Sequence, residues 1–249
     1  MVVTGAAGGI GKELVRQVAN DGASLVLVDM NEQALTNLVT ELGIPSERAL
    51  TVRADVSKEE EVKNYVNQAV SKFDKIDAFF NNAGVEGTHA NVEDYDTSVF
   101  DFVFNVNVRG VFLGLKYVVP VMKKQGYGSI VNSASLAGSM GSPGFAAYNS
   151  SKHAVIGLTR VVAAEVTPHN IRVNAIAPGV INTQMMRKIE ENAAPGAAKE
   201  AEKAFQNSVP MGRYGEASEV ANVVYFLLSD AASYVSHSIY TVDGGMLGQ

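Results

Sequence analysis

Tyr148 and Lys152 stand four residues apart in the stretch YNSSK. On a helix, positions i and i+4 share a face. A tyrosine ordinarily ionises near pH ~10, and an ammonium beside it favours the phenolate and draws that value down toward working pH. The pair has the makings of a general acid and base. A surface tyrosine next to a solvated lysine would show the same spacing, so the assignment depends on what the rest of the chain places around it.

A second chemistry is written at the start of the chain. In TGAAGGIG, Gly5, Gly9 and Gly11 follow a very short apolar segment and open an amphipathic one. Glycines let the backbone turn tightly and approach a pyrophosphate at the positive end of a helix. The spacing is GxxxGxG rather than GxGxxG, and a plain strand-to-helix turn would also use such glycines. Asp29 strengthens the dinucleotide reading. It closes the apolar run SLVLVD, 18 residues beyond Gly11 (29 − 11), where a carboxylate can accept hydrogen bonds from an adenosine ribose. The same carboxylate repels a 2′-phosphate, and neither Gly8 nor Met30 brings a positive charge. The expected cofactor is NAD rather than NADP.

These residues need elements to position them. Short apolar runs alternate with longer amphipathic stretches throughout. After Val2-Val3, strands are predicted at 24–29, 49–56, 76–82, 128–135, 171–178 and 238–243. Helices are predicted at 10–19, 31–42, 95–104, 108–125, 145–167 and about 216–229. A further helix should start at Ser57, with Glu60 three residues on in capping-box spacing, and the acids at 59–61 suit its positive end. A polar, alanine-rich stretch fills 183–207. This alternation predicts an α/β fold, a doubly wound parallel sheet of about seven strands with helices on both faces. No linker or repeat divides the chain, so one domain should span 1–249.

Composition narrows the function classes. At 249 residues and 47% hydrophobic content, the chain can bury a large core. Its net charge of −6 argues against nucleic acid or an anionic membrane as partner. It has no cysteine, which excludes disulfides, thiolate metal sites and cysteine nucleophiles. Four scattered histidines suggest no metal site. No apolar run approaches the ~18 residues of a membrane span, and the opening residues lack a secretory pattern. A cytoplasmic enzyme is expected.

Taken together, TGAAGGIG, NNAG (81–84), Asn107 in NVNVRG, Ser135, YNSSK, APG (177–179) and VDGG (242–245) resemble the short-chain dehydrogenase/reductase family over essentially the whole chain. The resemblance implies a Rossmann-type fold with Tyr148 as acid-base and Lys152 lowering its pKa while holding the nicotinamide ribose. It makes Ser135 the residue that hydrogen-bonds the substrate oxygen and Asn107 the holder of a relay water. Gly5, Gly9, Ile10 and Gly11 would form the phosphate loop, with Asp29 at the ribose and Asp55 and Val56 at adenine. Asn82, Ala83 and Gly84 would line the adenosine side. Pro178, Gly179, Ile181 and Thr183 would face the nicotinamide. Read from the residues alone, Ser133 and Asn105 are rival positions for Ser135 and Asn107, and Asn81 and Asn82 could simply form a turn. One departure is that only three residues precede Thr4, where relatives carry several more; a short central strand would cost stability and leave the phosphate loop intact.

The chemistry follows. Oxidising an alcohol needs a hydride acceptor and a base for the hydroxyl proton, held in register. The substrate would be a small alcohol or ketone, chosen by residues 85–95, 136–145 and 183–210. Met185, Met186, Ile189 and Phe205 could form an apolar lid, or merely pack helices, and Glu86 could reach the pocket rim or solvent. At finer grain, NNAGVEG and RGVFLGLKYV are similar to family members that reduce cyclic ketones and diketones. The family also implies a homotetramer, with interfaces on the 153–166 face and the last strand. Two rivals are weighed. An NADPH-dependent 3-oxoacyl-[acyl-carrier-protein] reductase is opposed by Asp29. A non-catalytic NAD-sensing or scaffold protein is opposed by the complete set Asn107, Ser135, Tyr148 and Lys152.

Overall fold

The computed structural model describes residues 1–248; Gln249, the last residue of the expected domain, lies outside them. Alternation within the apolar runs decides which side chains face which layer. In β2 (Leu25–Asp29), Val26 and Val28 join one core cluster while Leu25 and Leu27 join another on the opposite face. Such a strand, buried on both faces, belongs in the middle of a parallel sheet. Each fully buried Val or Leu contributes ~1.5–3 kcal/mol.

Seven parallel strands form the sheet in the order β3-β2-β1-β4-β5-β6-β9. They are β1 (Val2–Thr4), β2, β3 (Ala49–Arg53), β4 (Ala78–Asn81), β5 (Gly128–Ser133), β6 (Ile171–Pro178) and β9 (Ile239–Val242). A two-residue pair, β7 (Ile181–Asn182) and β8 (Gly215–Glu216), makes a separate parallel ladder. The short strand β1 pairs on both sides, with Val2 opposite Val26 and Phe79. Met1 extends that edge, its amino group donating to Ser24 O at 2.8 Å.

Helices cover both faces. On one lie α1 (Gly9–Asn20), α2 (Glu32–Glu41) and α9 (Ala217–Leu228), which contribute Leu14, Leu35 and Val224 to their cluster. On the other lie α3 (Glu59–Phe73), α5 (Gly110–Gln125) and α6 (Ala146–Val166), which contribute Val62, Leu113 and Val155. The strand order reverses direction between β1 and β4. A crevice opens there at the carboxyl ends of the strands, the usual ligand position in such sheets.

Three expectations are corrected. Ser57 does not cap α3; that place falls to Lys58, without a side-chain cap. Asp55 competes for Ser57 and takes both its N–H (2.9 Å) and its hydroxyl (2.7 Å), and this turn also stops β3 at Arg53. The helices expected at 95–104 and 108–125 are continuous: α4 (Thr97–Phe104) runs into α5 through a π-helical turn, Asn105–Arg109. The resulting stretch Thr97–Gln125, 29 residues long, has the length and mean hydropathy of a membrane span without being an unbroken apolar run. Here its buried side chains pack against the sheet beside α3 and α6. The polar stretch at 183–207 forms two helices, α7 (Gln184–Ala193) and α8 (Ala198–Asn207).

Candidate active site

A cleft of about 660 Å³ follows the strand ends from Asp29 to Tyr148 and is covered by α7. Its floor begins at the N-terminus of α1. There Gly8 caps the helix without a side-chain hydrogen bond, and no acidic residue occupies the first turn. By contrast, Asn31 caps α2, Thr183 caps α7 and a capping box closes α9. A helix N-terminus carries unpaired N–H groups and a partial positive charge. At α1 these are left for a ligand.

The glycines divide the work. Gly5 holds φ +61°, and a Cβ there would meet the Ala83 backbone at 3.1 Å. A Cβ on Gly9 would strike Thr183 Cγ2 at 2.8 Å. These two keep the cleft open beside Ile10, which also lines it. Gly11 differs from expectation: it does not line the cleft but lies buried beneath the loop, where a Cβ would sit 2.3 Å from Gly5 O. Its role is to let the turn close. A pyrophosphate fits such a cradle.

Asp29 is fixed at the far end, its carboxylate accepting from Ala7 N and Asn31 N, each at 3.1 Å. The cations among the described residues lining the cleft are Lys152 and Lys188, neither beside Asp29 in the chain or the sheet. Arg53 stands in register with Asp29 on β3 but is exposed and does not line the cleft. Asp55, Val56, Asn82, Ala83, Gly84, Pro178, Gly179, Ile181 and Thr183 all line it, as expected. Asn82 also donates to Thr4 O (3.1 Å) and Gly5 O (3.2 Å), tying β4 to the glycine loop. The Thr4 hydroxyl accepts from Asn82 N (2.9 Å) and Ala83 N (3.1 Å). Thr4 escaped the sequence reading; a single hydroxyl residue in an apolar strand, directly before the first glycine, was its only signal. Asn81 is instead a buried brace that donates to Val111 O at 2.9 Å.

The reacting end brings Ser135, Tyr148 and Lys152 together. Both helical residues lie in α6, and Lys152 is buried, its ammonium donating to Ser133 O at 2.8 Å. Its Nζ lies 5.6 Å from the centroid of the Tyr148 ring. Burial holds Lys152 down to about 8. Burial also pushes the Tyr148 phenol above its ordinary value, with the Ser135 hydroxyl working the other way and the Glu86 carboxylate adding to the rise. This corrects the expectation that Lys152 lowers Tyr148. In the ligand-free chain the desolvation cost of a phenolate prevails, since burial penalises any charged form.

Asn107, rather than the exposed Asn105, is the buried asparagine. It sits in the π-turn and does not line the cleft. Its amide donates to Val85 O (2.9 Å) and Ser151 Oγ (3.0 Å) and accepts from Val85 N (2.8 Å). The side chain therefore clamps the loop after β4 to α6, and its expected water-holding role finds both amide hydrogens already committed. Ser151, which donates in turn to Tyr148 O at 2.7 Å, was not singled out from the sequence. Met185, Met186 and Ile189 do line the cleft, whereas Phe205 packs into a small cluster with Val180, Met186 and Val209.

Known proteins resemble this chain over nearly its whole length. Residues 5–247 match the family model described as enoyl-(acyl carrier protein) reductase. The chain belongs to the short-chain dehydrogenase/reductase family. Among relatives within this family, levodione reductase of Leifsonia aquatica is 42% identical over 98% of this chain and 92% of its own. A 3-oxoacyl-[acyl-carrier-protein] reductase of Thermotoga maritima is 39% identical over 99% and 96%. The crystal structure of NAD⁺-bound xylitol dehydrogenase superposes with a TM-score of 0.93 at 40% identity, covering 98% of this chain and 97% of that one. Short-chain dehydrogenase/reductase membership makes this chain an oxidoreductase built on one Rossmann-type sheet.

Proposed function

We propose that the chain is an NAD(H)-dependent oxidoreductase interconverting a secondary alcohol and its ketone, with Tyr148 as the proton donor and acceptor. The observation that carries this is one cleft with an uncapped helix N-terminus and a fixed Asp29 at one end and Ser135, Tyr148 and Lys152 at the other. Gly5, Gly9 and Ile10 hold the pyrophosphate, Asp29 the adenosine ribose, and Asp55 and Val56 the adenine. Asn82, Ala83 and Gly84 line the middle, while Lys152, Pro178, Gly179, Ile181 and Thr183 hold the nicotinamide half. When bound, NAD supplies the hydride acceptor.

The chain's own residues handle the proton. Ser135 orients the substrate oxygen and hydrogen-bonds the phenol, and Tyr148 takes the hydroxyl proton in oxidation or gives it in reduction. The phenol must come down from its raised value for this, and Lys152 is the cation within reach. Asn107 positions α6 against the loop after β4.

Apolar Met185, Met186 and Ile189 over the reacting end suit a cyclic alcohol, diol, ketone or diketone. Levodione reductase, a relative named for a diketone, supports that class. Residues 183–210 act as a lid within one domain. The cytoplasm and a homotetramer complete the reading; exposed Phe112 and Val161 on α5 and α6 are apolar surface for such an assembly. The acyl-carrier rival has a relative in its favour, but it calls for a cation at the 2′-phosphate where the cleft presents Asp29. The sensor reading leaves the assembled catalytic set without a task. Initial rates on cyclic alcohols and ketones with NAD(H) and NADP(H), for wild type and Tyr148→Phe, test the proposal. Turnover with NAD(H) that the substitution abolishes supports it; NADP(H) preference or survival in Tyr148→Phe refutes it.

A further inference from the structure

Three carboxylates line the cleft, and they are not equivalent. Asp29 accepts two backbone N–H groups, and Asp55 accepts the N–H and hydroxyl of Ser57. Glu86 has no hydrogen-bond donor in reach among the described residues. Its ion-pair partner is Lys188, 3.7 Å away on α7, a side chain 63% exposed, whereas Glu86 is only 13% exposed. Its carboxylate faces the cleft with no protein donor in reach among the described residues, so a group that visits the site can supply one.

The backbone around Glu86 is held firmly. Both polar groups of Val85 are bound by Asn107. Gly87 takes φ +76°, and a Cβ on it would strike Tyr95 Oη and Val103 Cγ2, each at 2.8 Å. The side chain lines the reacting end of the cleft, near enough to Tyr148 for its charge to act on the phenol. Met185 and Ile189, which line the same cleft, offer no donor.

We propose that Glu86 is a specificity-determining residue that accepts a hydrogen bond from a second hydroxyl of the substrate, so that diols and hydroxyketones are preferred over monoalcohols and diketones. This rests on the alcohol–ketone reading given above. A hydroxyl suits the site better than an amine, because Lys188 already balances the charge. A second carbonyl has no proton to offer a carboxylate and gains nothing.

The test uses the full chain with NAD and four substrates: cyclohexanol and the 1,2-, 1,3- and 1,4-cyclohexanediols. The wild type should favour at least one diol in kcat/KM by about ten- to hundredfold, the range of a hydrogen bond to a charged group. Most of the gain should lie in KM. Glu86→Leu should erase that ratio, and Glu86→Gln, which keeps an acceptor oxygen and the side-chain shape, should retain part of it. Should Glu86→Leu fail to fold, the wild type and Glu86→Gln decide. Oxidation of cyclohexanol without diol preference overturns this inference alone, as does an equal loss on all four substrates. If no alcohol is oxidised while NAD still binds, the alcohol–ketone reading itself falls, and this inference with it.

Discussion

The floor of the cleft and its lid are built by different physics. The floor consists of strand ends and the first turn of α1, backed by core clusters whose members are almost all fully buried. Its polar groups are tied to backbone over long sequence distances, as in Asn82 to Thr4 and Lys152 to Ser133. The lid, α7 and α8, rests on a cluster of only three buried residues, Val180, Met186 and Val209. Around it pack the half-buried Ile189, Phe205 and Tyr214, and ion pairs add to these contacts. Arg187 pairs with Glu190 (3.1 Å) and Glu202 (3.2 Å), and Tyr214 donates to Glu190 at 2.9 Å. Burial, together with the Glu190 carboxylate, holds the Tyr214 phenol protonated. The floor thus fixes groups that must meet within tenths of an ångström, while the lid is a small unit whose apolar lining can change without disturbing the sheet.

The largest effect should come from the floor. Tyr148→Phe removes one hydroxyl and leaves the cradle at α1 untouched. Turnover should fall about 10²- to 10⁴-fold, the usual worth of a positioned acid-base, while NAD affinity by fluorescence titration stays within about threefold. Equal losses in both would mean that the phenol belongs to cofactor binding rather than proton transfer. Next comes the glycine under the loop. Gly11→Ala forces a Cβ to 2.3 Å from the Gly5 carbonyl, a backbone atom that cannot step aside. Denaturant unfolding should show a loss of about 3 kcal/mol, and NAD affinity should fall with it. An unchanged midpoint would contradict the tight turn.

This contrast also explains what could be read from the sequence. Parallel strands buried on both faces appear as apolar runs, so residues 24–29 are visible at once, and 171–178 nearly so despite Arg172 and Asn174. Tyr148, Ser135 and Asp29 were legible because each stands at a fixed offset from a strand or helix end. Asn107 was legible as a position but not as a clamp, since its partners Val85 and Ser151 lie 22 and 44 residues away. The rise in Tyr148 was missed because burial is a property of the packed helix, not of the four-residue spacing. Ser57 misled because Asp55, two residues earlier, competes for the same hydroxyl. The lid's apolar residues were legible but its elements were not, because two-residue strands have no period to detect, and α7 and α8 present few apolar residues.

The lid should respond differently to damage. Arg187→Leu removes both ion pairs and leaves Glu190, which is 2% exposed, with the Tyr214 hydroxyl but no cation. The main consequence should be a rise in substrate KM of roughly tenfold, the equivalent of about 1.4 kcal/mol. NAD affinity and the global melting transition should change little, because the core clusters make no use of Arg187. A fall in melting temperature as large as that of Gly11→Ala would show that lid and floor unfold as one and would remove the distinction drawn above.

The smallest change in stability separates function from folding within the floor itself. Lys152 is buried with its value held down to about 8 from 10.5, so below pH 8 the fold carries a charge it would rather not bury. That shift corresponds to about 3 kcal/mol. The hydrogen bond to Ser133 O offsets about 1.5–3 kcal/mol. Lys152→Met should therefore abolish turnover yet stabilise the ligand-free protein at pH 7 by about 1 kcal/mol, or ~2–4 °C in melting temperature. The pH dependence fixes the sign. Between about 8 and 10.5 the unfolded chain binds more protons at this residue than the folded one, so wild-type stability from this residue rises through that window. The advantage of Lys152→Met should shrink across the same window and vanish above it. Thermal melts of both proteins at pH 7 and pH 10 read this directly. A Lys152→Met variant less stable than wild type at pH 7 would mean that the Ser133 hydrogen bond outweighs the buried charge, and that this ammonium stabilises the fold as well as the chemistry.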